Sequence, residues 1–453
     1  MRMPVFVVAA LAVYSCAPIA CSEVLPPVGL TFNLPEGGRE ADYGPIVLEA
    51  KSLGVQFTCL MAQWSALEPR SGEYRLAELE NGVRGLTSAG LRMCITVQTL
   101  DTNNRTLPAD LRNEPFDSPV VRERFEALLN ALAPKLTDAV RYVMLGNEAD
   151  VYLAAHPNEI EAYAGFVERG REHLRTLRPG LPVGVTTTFN GLRDNPQIVG
   201  RINAAMDVFA LTYYPIKSDF RVRPVSDIAS DFDQMTQAAG QKPLVFQEIG
   251  YPADPRLGSS EDQQAAFVDS IFEAAQAHAS QIGFFNFFLL HDFNGQAVEQ
   301  LLDYYQLGDS NSRAFLSSLG LKRAYGTPRK AWARFQERLD GDPSSDNETP
   351  GTAGGDEPPF PARFAFHAIS PNPFKQDTAI SFDLPVTAWV TLAVFDAAGR
   401  QVRLLVDEET AAGNYRPLWD GTNDRGLRAG AGVYFCRLNA GSFRATERLI
   451  RVD

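Results

Sequence analysis

Cysteine is scarce. Only five occur in 453 residues, and two of them, Cys16 and Cys21, lie in the first 22. The remaining Cys59, Cys94 and Cys436 are too few for a disulfide framework. The five histidines are dispersed, with no His-x-x-x-His or Cys-x-x-Cys spacing, so no metal centre is expected. Basic residues are outnumbered, 42 Lys+Arg against 55 Asp+Glu, and the net charge of −13 repels phosphate and argues against a nucleic-acid partner. Past the N-terminal residues no apolar run is long enough to cross a bilayer. No Gly-x-Gly-x-x-Gly follows the first strand-like run, which argues against a dinucleotide site. No cofactor is expected.

What is present is a large apolar complement, 45% of residues with 28 Phe and 14 Tyr, enough for a sizeable core. Residues 1–22 read as an export signal: a basic start, the apolar run from Pro4 to Ile19, then small Ala20-Cys21-Ser22. Cleavage after Ser22 and lipidation at Cys21 or Cys16 are both open, so the chain is expected to be secreted or held on the cell surface. Residues 340–362 hold no Lys or Arg and many Pro, Gly, Ser and acids, the composition of a linker. That segment separates a block at 23–339 from one at 363–453.

In the first block eight short apolar runs (28–34, 55–63, 92–98, 141–147, 182–188, 207–214, 243–248 and 283–290) alternate with amphipathic stretches such as 75–89, 120–134, 159–177 and 261–279. Eight near-continuous apolar strands alternating with helices predict an α/β fold, a (β/α)8 TIM barrel. Cys59 and Cys94 fall on neighbouring strands, as buried thiols or, alternatively, as a bridge. The second block alternates over 378–384, 390–396, 432–438 and 445–452 between turn formers, which predicts a small antiparallel β-sandwich. Trp389 and Trp419 are expected in its core, a sugar platform being the other reading.

In such a barrel, chemistry gathers where strands end at the C-terminal mouth. Run four closes as Gly146-Asn147-Glu148 and run seven as Gln247-Glu248-Ile249-Gly250-Tyr251-Pro252. A carboxylate after an apolar strand is costly to bury alone, so each glutamate must meet solvent, a partner or a ligand. Two converging carboxyls suit glycosidic bond cleavage, one as proton donor and one as attacking group. The duller alternatives are that Glu148 caps the following helix and Glu248 pairs with a surface arginine.

These strand endings, one hundred residues apart, look like the signature of clan A retaining glycoside hydrolases. The resemblance implies Glu148 as acid/base, Glu248 as nucleophile and Asn147 as ligand of the sugar 2-hydroxyl. It also implies a Glu248 carboxyl held low by hydrogen-bond donors and a Glu148 carboxyl raised. The stretch Trp64-Ser-Ala-Leu-Glu68-Pro-x-x-Gly72-x-Tyr74 is similar to one common in the clan, and Tyr213-Tyr214-Pro215 resembles the strand-six ending of family 53 endo-β-1,4-galactanases. Trp64, Tyr213 and Tyr214 are accordingly candidate sugar-stacking or nucleophile-orienting residues, or else packing residues. Gln98 and His291 are candidate mouth-lining groups. Two departures stand out: Phe284-Phe285-Asn286-Phe287-Phe288 where many members carry a strand-eight tryptophan, and no arginine on strand two.

In the second block, Ser370-Pro-Asn-Pro-Phe374, Val394-Phe-Asp-Ala-Ala-Gly399-Arg400, Trp419-Asp-Gly421 and Gly432-Val-Tyr-Phe435 resemble FlgD-type immunoglobulin-like domains and the sorting domains of type IX secretion cargo. That likeness implies a Gram-negative source and outer-membrane secretion machinery as a partner; a spacer or carbohydrate-contacting module is the alternative. The expected protein is a monomeric exported retaining glycosidase acting on β-linked poly- or oligosaccharide (galactan, glucan or mannan). A noncatalytic surface glycan-binding protein on the same barrel is the rival.

Overall fold

The computed structural model describes residues 25–38, 42–340 and, apart from short gaps, 364–452. The expected export signal and nearly all of the expected linker lie outside the described residues. Eight parallel strands form the first unit: β1 (Val28–Leu30), β2 (Phe57–Gln63), β3 (Arg92–Gln98), β4 (Val140–Met144), β5 (Val183–Gly184 with Thr186–Thr188), β6 (Phe209–Tyr213), β7 (Leu244–Ile249) and β8 (Ile282–Phe287). The first half of β5 pairs with β4 and its second half with β6, while β1 pairs with both β2 and β8. The ring therefore closes on itself as a (β/α)8 barrel, as the eight apolar runs predict. Helices Ala77–Ser88, Pro119–Leu132, Ile160–Leu177 and Glu261–Ala277 occupy the four amphipathic stretches named above.

Strand side chains alternate between two destinations. Those facing out, such as Ile95, Val97, Leu211, Phe246, Phe285 and Phe287, join the main core with the surrounding helices. Those facing in form a plug of Phe57, Cys59, Cys94, Met144, Val208, Ala210, Val245 and Phe284 in the barrel's lower half, where the Phe57 and Phe284 rings stack 4.0 Å apart. Cys59 and Cys94 lie side by side in register as buried free thiols. Two residues further along the same inward rows, the side chains turn polar: Cys94 gives way to Thr96 and Gln98, Ala210 to Thr212 and Tyr214, Val245 to Gln247, and Phe284 to Asn286.

Between β8 and the closing helix Lys330–Asp340, the chain inserts helices Gly295–Tyr305 and Ser310–Leu316. Asn294 and Asp309 cap their first turns by accepting backbone N–H bonds. Both helices bury one face against the loop after β6, in a separate apolar cluster that includes Ile216, Val298, Leu302, Phe315, Leu316 and Leu319. This covering layer is absent from the sequence reading, which ends its periodic pattern at strand eight.

The strands described in the C-terminal unit pair antiparallel. A four-stranded sheet runs Gln401–Thr410, Ala388–Asp396, Gly432–Ala440, Phe443–Arg451, alongside shorter sheets. Trp419 is fully buried among Phe374, Tyr434 and the sheet's inward residues, as expected. Trp389 departs from expectation: it is 60% exposed, with its indole N–H donating to Asp407, because the core already holds one indole and the residue after it, Val390, takes the inward position.

Candidate active site

The mouth of the barrel encloses a cavity of about 410 Å³, and both sequence-picked glutamates line it. Each arrives by a local break in regular backbone. Glu148 follows β4 with φ of +46°, a left-handed conformation rare outside glycine, which turns the chain from strand into the helix Ala149–Ala155. Its side chain makes no capping bond to that helix, so the duller reading fails. Instead the carboxylate accepts hydrogen bonds from Thr102 Oγ1 and Thr212 Oγ1, each 2.7 Å. Gly146 permits the approach to this turn: a Cβ there would sit 2.2 Å from the Tyr163 hydroxyl oxygen.

Glu248 depends on a register shift. Consecutive strand residues normally face opposite sides, but β7 slips against β6 between Phe246 and Glu248, and against β8 between Phe246 and Ile249. This irregularity brings both Gln247 and Glu248 to the inner side. Glu248 Oε2 accepts a 2.6 Å bond from the Tyr214 hydroxyl, and among the described residues no cation pairs with it. Tyr214 reaches it because residue 250 is glycine; a Cβ at Gly250 would lie 2.6 Å from the tyrosine ring.

Beneath the carboxyls runs a polar network. Gln247 is fully buried: its Oε1 accepts from Thr96 and Thr186 at 2.6 and 2.7 Å, and its Nε2 donates to Asn147 Oδ1 at 2.7 Å. Asn147 Nδ2 donates to Asp101 Oδ1 at 3.0 Å, and the Tyr304 hydroxyl donates to Asp101 Oδ2 at 2.8 Å. Asn286 Nδ2 donates to the Gln247 carbonyl at 3.0 Å. A buried network of this kind fixes side-chain orientation because every broken bond leaves a desolvated polar group. The covering helix Gly295–Tyr305 is tied to it through Tyr304, and Asn103 and Asn104, just after Asp101, donate to the carbonyls of Tyr305 and Tyr304 at the helix end.

The electrostatics overturn one expectation. Burial pushes Glu248 up to about 8, and the facing Glu148 carboxyl pushes it the same way; the Tyr214 and Gln247 hydrogen bonds offset only part of this. Glu148 is raised too, chiefly by burial, with the Thr212 and Thr102 hydroxyls acting against it. Asp101 is raised by burial as well. The expectation of a depressed Glu248 required donors, or an arginine, strong enough to outweigh burial, and the site supplies two neutral donors. The pair therefore retains a proton near neutral pH.

Of the other sequence candidates, Asn147, Gln98 and Tyr214 line the cavity, while Trp64, Tyr213 and His291 do not. Trp64 is fully buried between Phe125 and Phe166, its indole N–H donating to Glu68; Glu68 also accepts from the Gly72 amide and Arg124. The Trp64-to-Tyr74 motif is thus a clamp on the loop after β2. Tyr213 points outward, its hydroxyl donating to Asp231 and its ring among Phe189, Phe232 and Phe267, because strand alternation sends it opposite to Thr212 and Tyr214. His291 is buried, with its Nδ1 on the Asn33 carbonyl, and joins the chain after β8 to the segment after β1. Sequence reasoning missed Asp101, Thr102, Thr212 and Tyr305. Among the described residues no three His, Cys, Asp or Glu side chains converge as a metal-ligating group.

Residues 367–442 match the family model of the FlgD Ig-like domain. No curated protein sequence matches the chain. Among solved structures the chain is similar to the exo-β-1,4-mannosidase Op5Man5 from Opitutaceae bacterium strain TAV5, at 17% identity and a TM-score of 0.58, over 71% of this chain and 60% of that one. The match thus spans less than two thirds of Op5Man5. It is also similar to GH5_18 from Bifidobacterium longum subsp. longum in complex with Manβ1-4GlcNAc (16% identity, TM-score 0.56, 72% of this chain and 81% of that). A third is GH5_18 from Streptomyces cattleya in complex with the same disaccharide (18%, 0.55, 72% and 82%). None of these three is a family 53 galactanase. The first unit is glycoside hydrolase-like in fold, and the C-terminal unit carries a FlgD Ig-like domain.

Proposed function

We propose that the chain is a retaining glycoside hydrolase of β-linked sugars, with Glu148 as acid/base and Glu248 as nucleophile. The observation that carries this reading is that two carboxyls, half-buried Glu148 at the end of β4 and buried Glu248 at the end of β7, line one cavity, with the Tyr214 hydroxyl on Glu248. The pair keeps one proton, and the working form holds it on Glu148. In the first step a Glu248 oxygen bonds to the anomeric carbon as the glycosidic C–O bond breaks, and the Glu148 proton passes to the departing oxygen. In the second, Glu148 takes a proton from water, whose oxygen attacks the anomeric carbon; the ester to Glu248 breaks and Glu148 is again protonated. Tyr214 holds Glu248 in place, and Asn147, locked by Gln247, presents its amide to the sugar.

A β-mannoside is the first substrate to test, supported by the mannosidase and the Manβ1-4GlcNAc complexes among the structural neighbours; β-galactosides and β-glucosides follow. Export as a secreted or surface protein, with the FlgD Ig-like domain serving sorting, belongs to the same proposal. The test is Glu248→Ala: turnover on the best substrate falls by about 10⁴-fold or more, and azide restores release of a glycosyl azide of inverted anomeric configuration. Wild-type turnover in that variant removes Glu248 from the reaction. A wild-type protein that binds oligosaccharide and liberates no reducing ends is a glycan-binding protein instead.

A further inference from the structure

The cavity has two unlike ends. Around the carboxyls its wall is polar, from Gln98, Thr102, Asn103, Asn147, Thr188 and Thr212. On the side where Tyr214 packs on Phe315 it is apolar, walled by the two inserted helices and the loop after β6, with Phe220, Phe293, Leu301, Leu307, Phe315 and Leu319. The only cation in the lining, Lys217, is exposed. Tyr214 meets Phe315 edge-on at 5.4 Å and Phe288 at 6.4 Å, and Phe220 and Phe315 pack at 5.3 Å.

A sugar residue carries a hydroxyl on nearly every ring carbon, and burying those against leucine and phenylalanine would strand them without partners. The sugar being cleaved therefore belongs at the polar end. In a glycoside the only portion free of such hydroxyls is a non-sugar leaving group. We infer that this site takes β-glycosides with an apolar alkyl, terpenoid or aryl leaving group, held by the wall that Leu301, Leu307 and Phe315 provide, rather than the interior of a polysaccharide. The inference rests on the glycosidase reading above and narrows it. The carboxyls supply the chemistry for any β-glycoside; the covering helices select among leaving groups.

The experiment compares methyl and n-hexyl β-glycosides of one sugar, whose departing alcohols are nearly equal in acidity, so that only binding differs. We expect kcat/KM at least about 10-fold higher for the hexyl compound, and the β-1,4-linked disaccharide to fall below it. Leu301→Gln and Leu307→Gln, at half-buried positions, bring the hexyl-to-methyl ratio toward one. A measurement on the unaltered protein needs no variant to fold: S-hexyl β-thioglycoside binds at least about 10-fold more tightly than S-methyl by calorimetry. Equal kcat/KM for the two glycosides, or polysaccharide preferred to both, overturns the inference and leaves the glycosidase reading standing. Tight S-hexyl binding with no turnover of any glycoside overturns the glycosidase reading and keeps the apolar site.

Discussion

The lower and upper halves of the barrel interior are built from the same strands and differ in almost everything else. Below lie Phe57, Cys94, Val245 and Phe284, an apolar plug against which the Tyr142 ring also packs. One inward step above lie Thr96, Gln247 and Asn286, joined by hydrogen bonds, and above them the two glutamates. The plug gains stability from apolar burial and packing, which need no particular partner atom. The polar layer gains orientation, and holding buried carboxyls there costs stability. One half of the interior holds the ring together, and the other half spends part of that stability on a fixed arrangement of acids.

Substitutions that separate stability from activity sharpen this contrast. The largest effect is expected for Glu148→Gln, which removes the proposed proton donor while keeping its shape: kcat on an unactivated glycoside falls by about 10³-fold or more. The melting temperature should hold or rise, because a half-buried carboxyl pushed above its ordinary value is replaced by a neutral amide. Calorimetry beside steady-state kinetics reads both, and a variant that melts well below the wild type breaks the contrast. Next comes Phe284→Ala in the plug. It deletes a ring stacked 4.0 Å from Phe57 and leaves a cavity, costing about 3–5 kcal/mol of unfolding free energy. Its kcat/KM should stay within a few-fold of wild type while urea unfolding shifts; a loss of activity in proportion to stability would show that the halves are not separable.

The two halves were unequally legible in the sequence. The plug and the ring of strands follow from eight near-continuous apolar runs, since a strand buried on both faces has no polar alternative. Glu148 and Glu248 stood out because an acid closing such a run has to be explained. Parity separates Tyr214 from Tyr213: with Thr212 inward, the next residue must face out, and only a register shift can break that rule, as it does at Gln247 and Glu248. Trp64 and His291 read as mouth residues by sequence position, yet each is consumed by local bonds, to Glu68 and Asn33, which no spacing rule reveals. Asp101 comes from a segment without a strand or helix period; Tyr305 and the covering layer lie on or beside helices whose apolar residues do recur three and four apart, as at Val298, Leu301 and Leu302, but only tertiary contact brings them over the mouth.

Gly146 lies where the contrast ends, at the top of β4 just before Asn147. Gly146→Ala places a Cβ 2.2 Å from the Tyr163 hydroxyl, so either that buried tyrosine or the Asn147-Glu148 turn must move. An overpacked site of this kind costs about 1–3 kcal/mol. A displacement of Glu148 approaching 1 Å lowers kcat by about 10²-fold. Both readouts should fall together, unlike in either preceding variant. The double variant with Tyr163→Phe, which removes the clashing oxygen, should recover part of each; no recovery would place the strain elsewhere.

The last effect is a slope with pH. Stability falls with rising pH wherever the folded chain binds more protons than the unfolded one. Glu248 has an ordinary value of 4.5 and is pushed to about 8 in the fold, so between those limits the unfolded chain has released its proton while the folded pair with Glu148 still keeps one. Its contribution is therefore greatest below pH 4.5 and is lost as pH rises toward 8. Asp150, raised by burial to about 7, acts in the same direction over a narrower window, so a slope persists even without Glu248. Urea midpoints of the wild type and Glu248→Gln at pH 5, 6, 7 and 8 isolate the difference, with the two curves diverging upward in pH and the amide variant the more stable at pH 8. Curves that run parallel across the range would mean that Glu248 is already ionised in the fold. The polar layer would then hold its acids at no cost to the plug beneath.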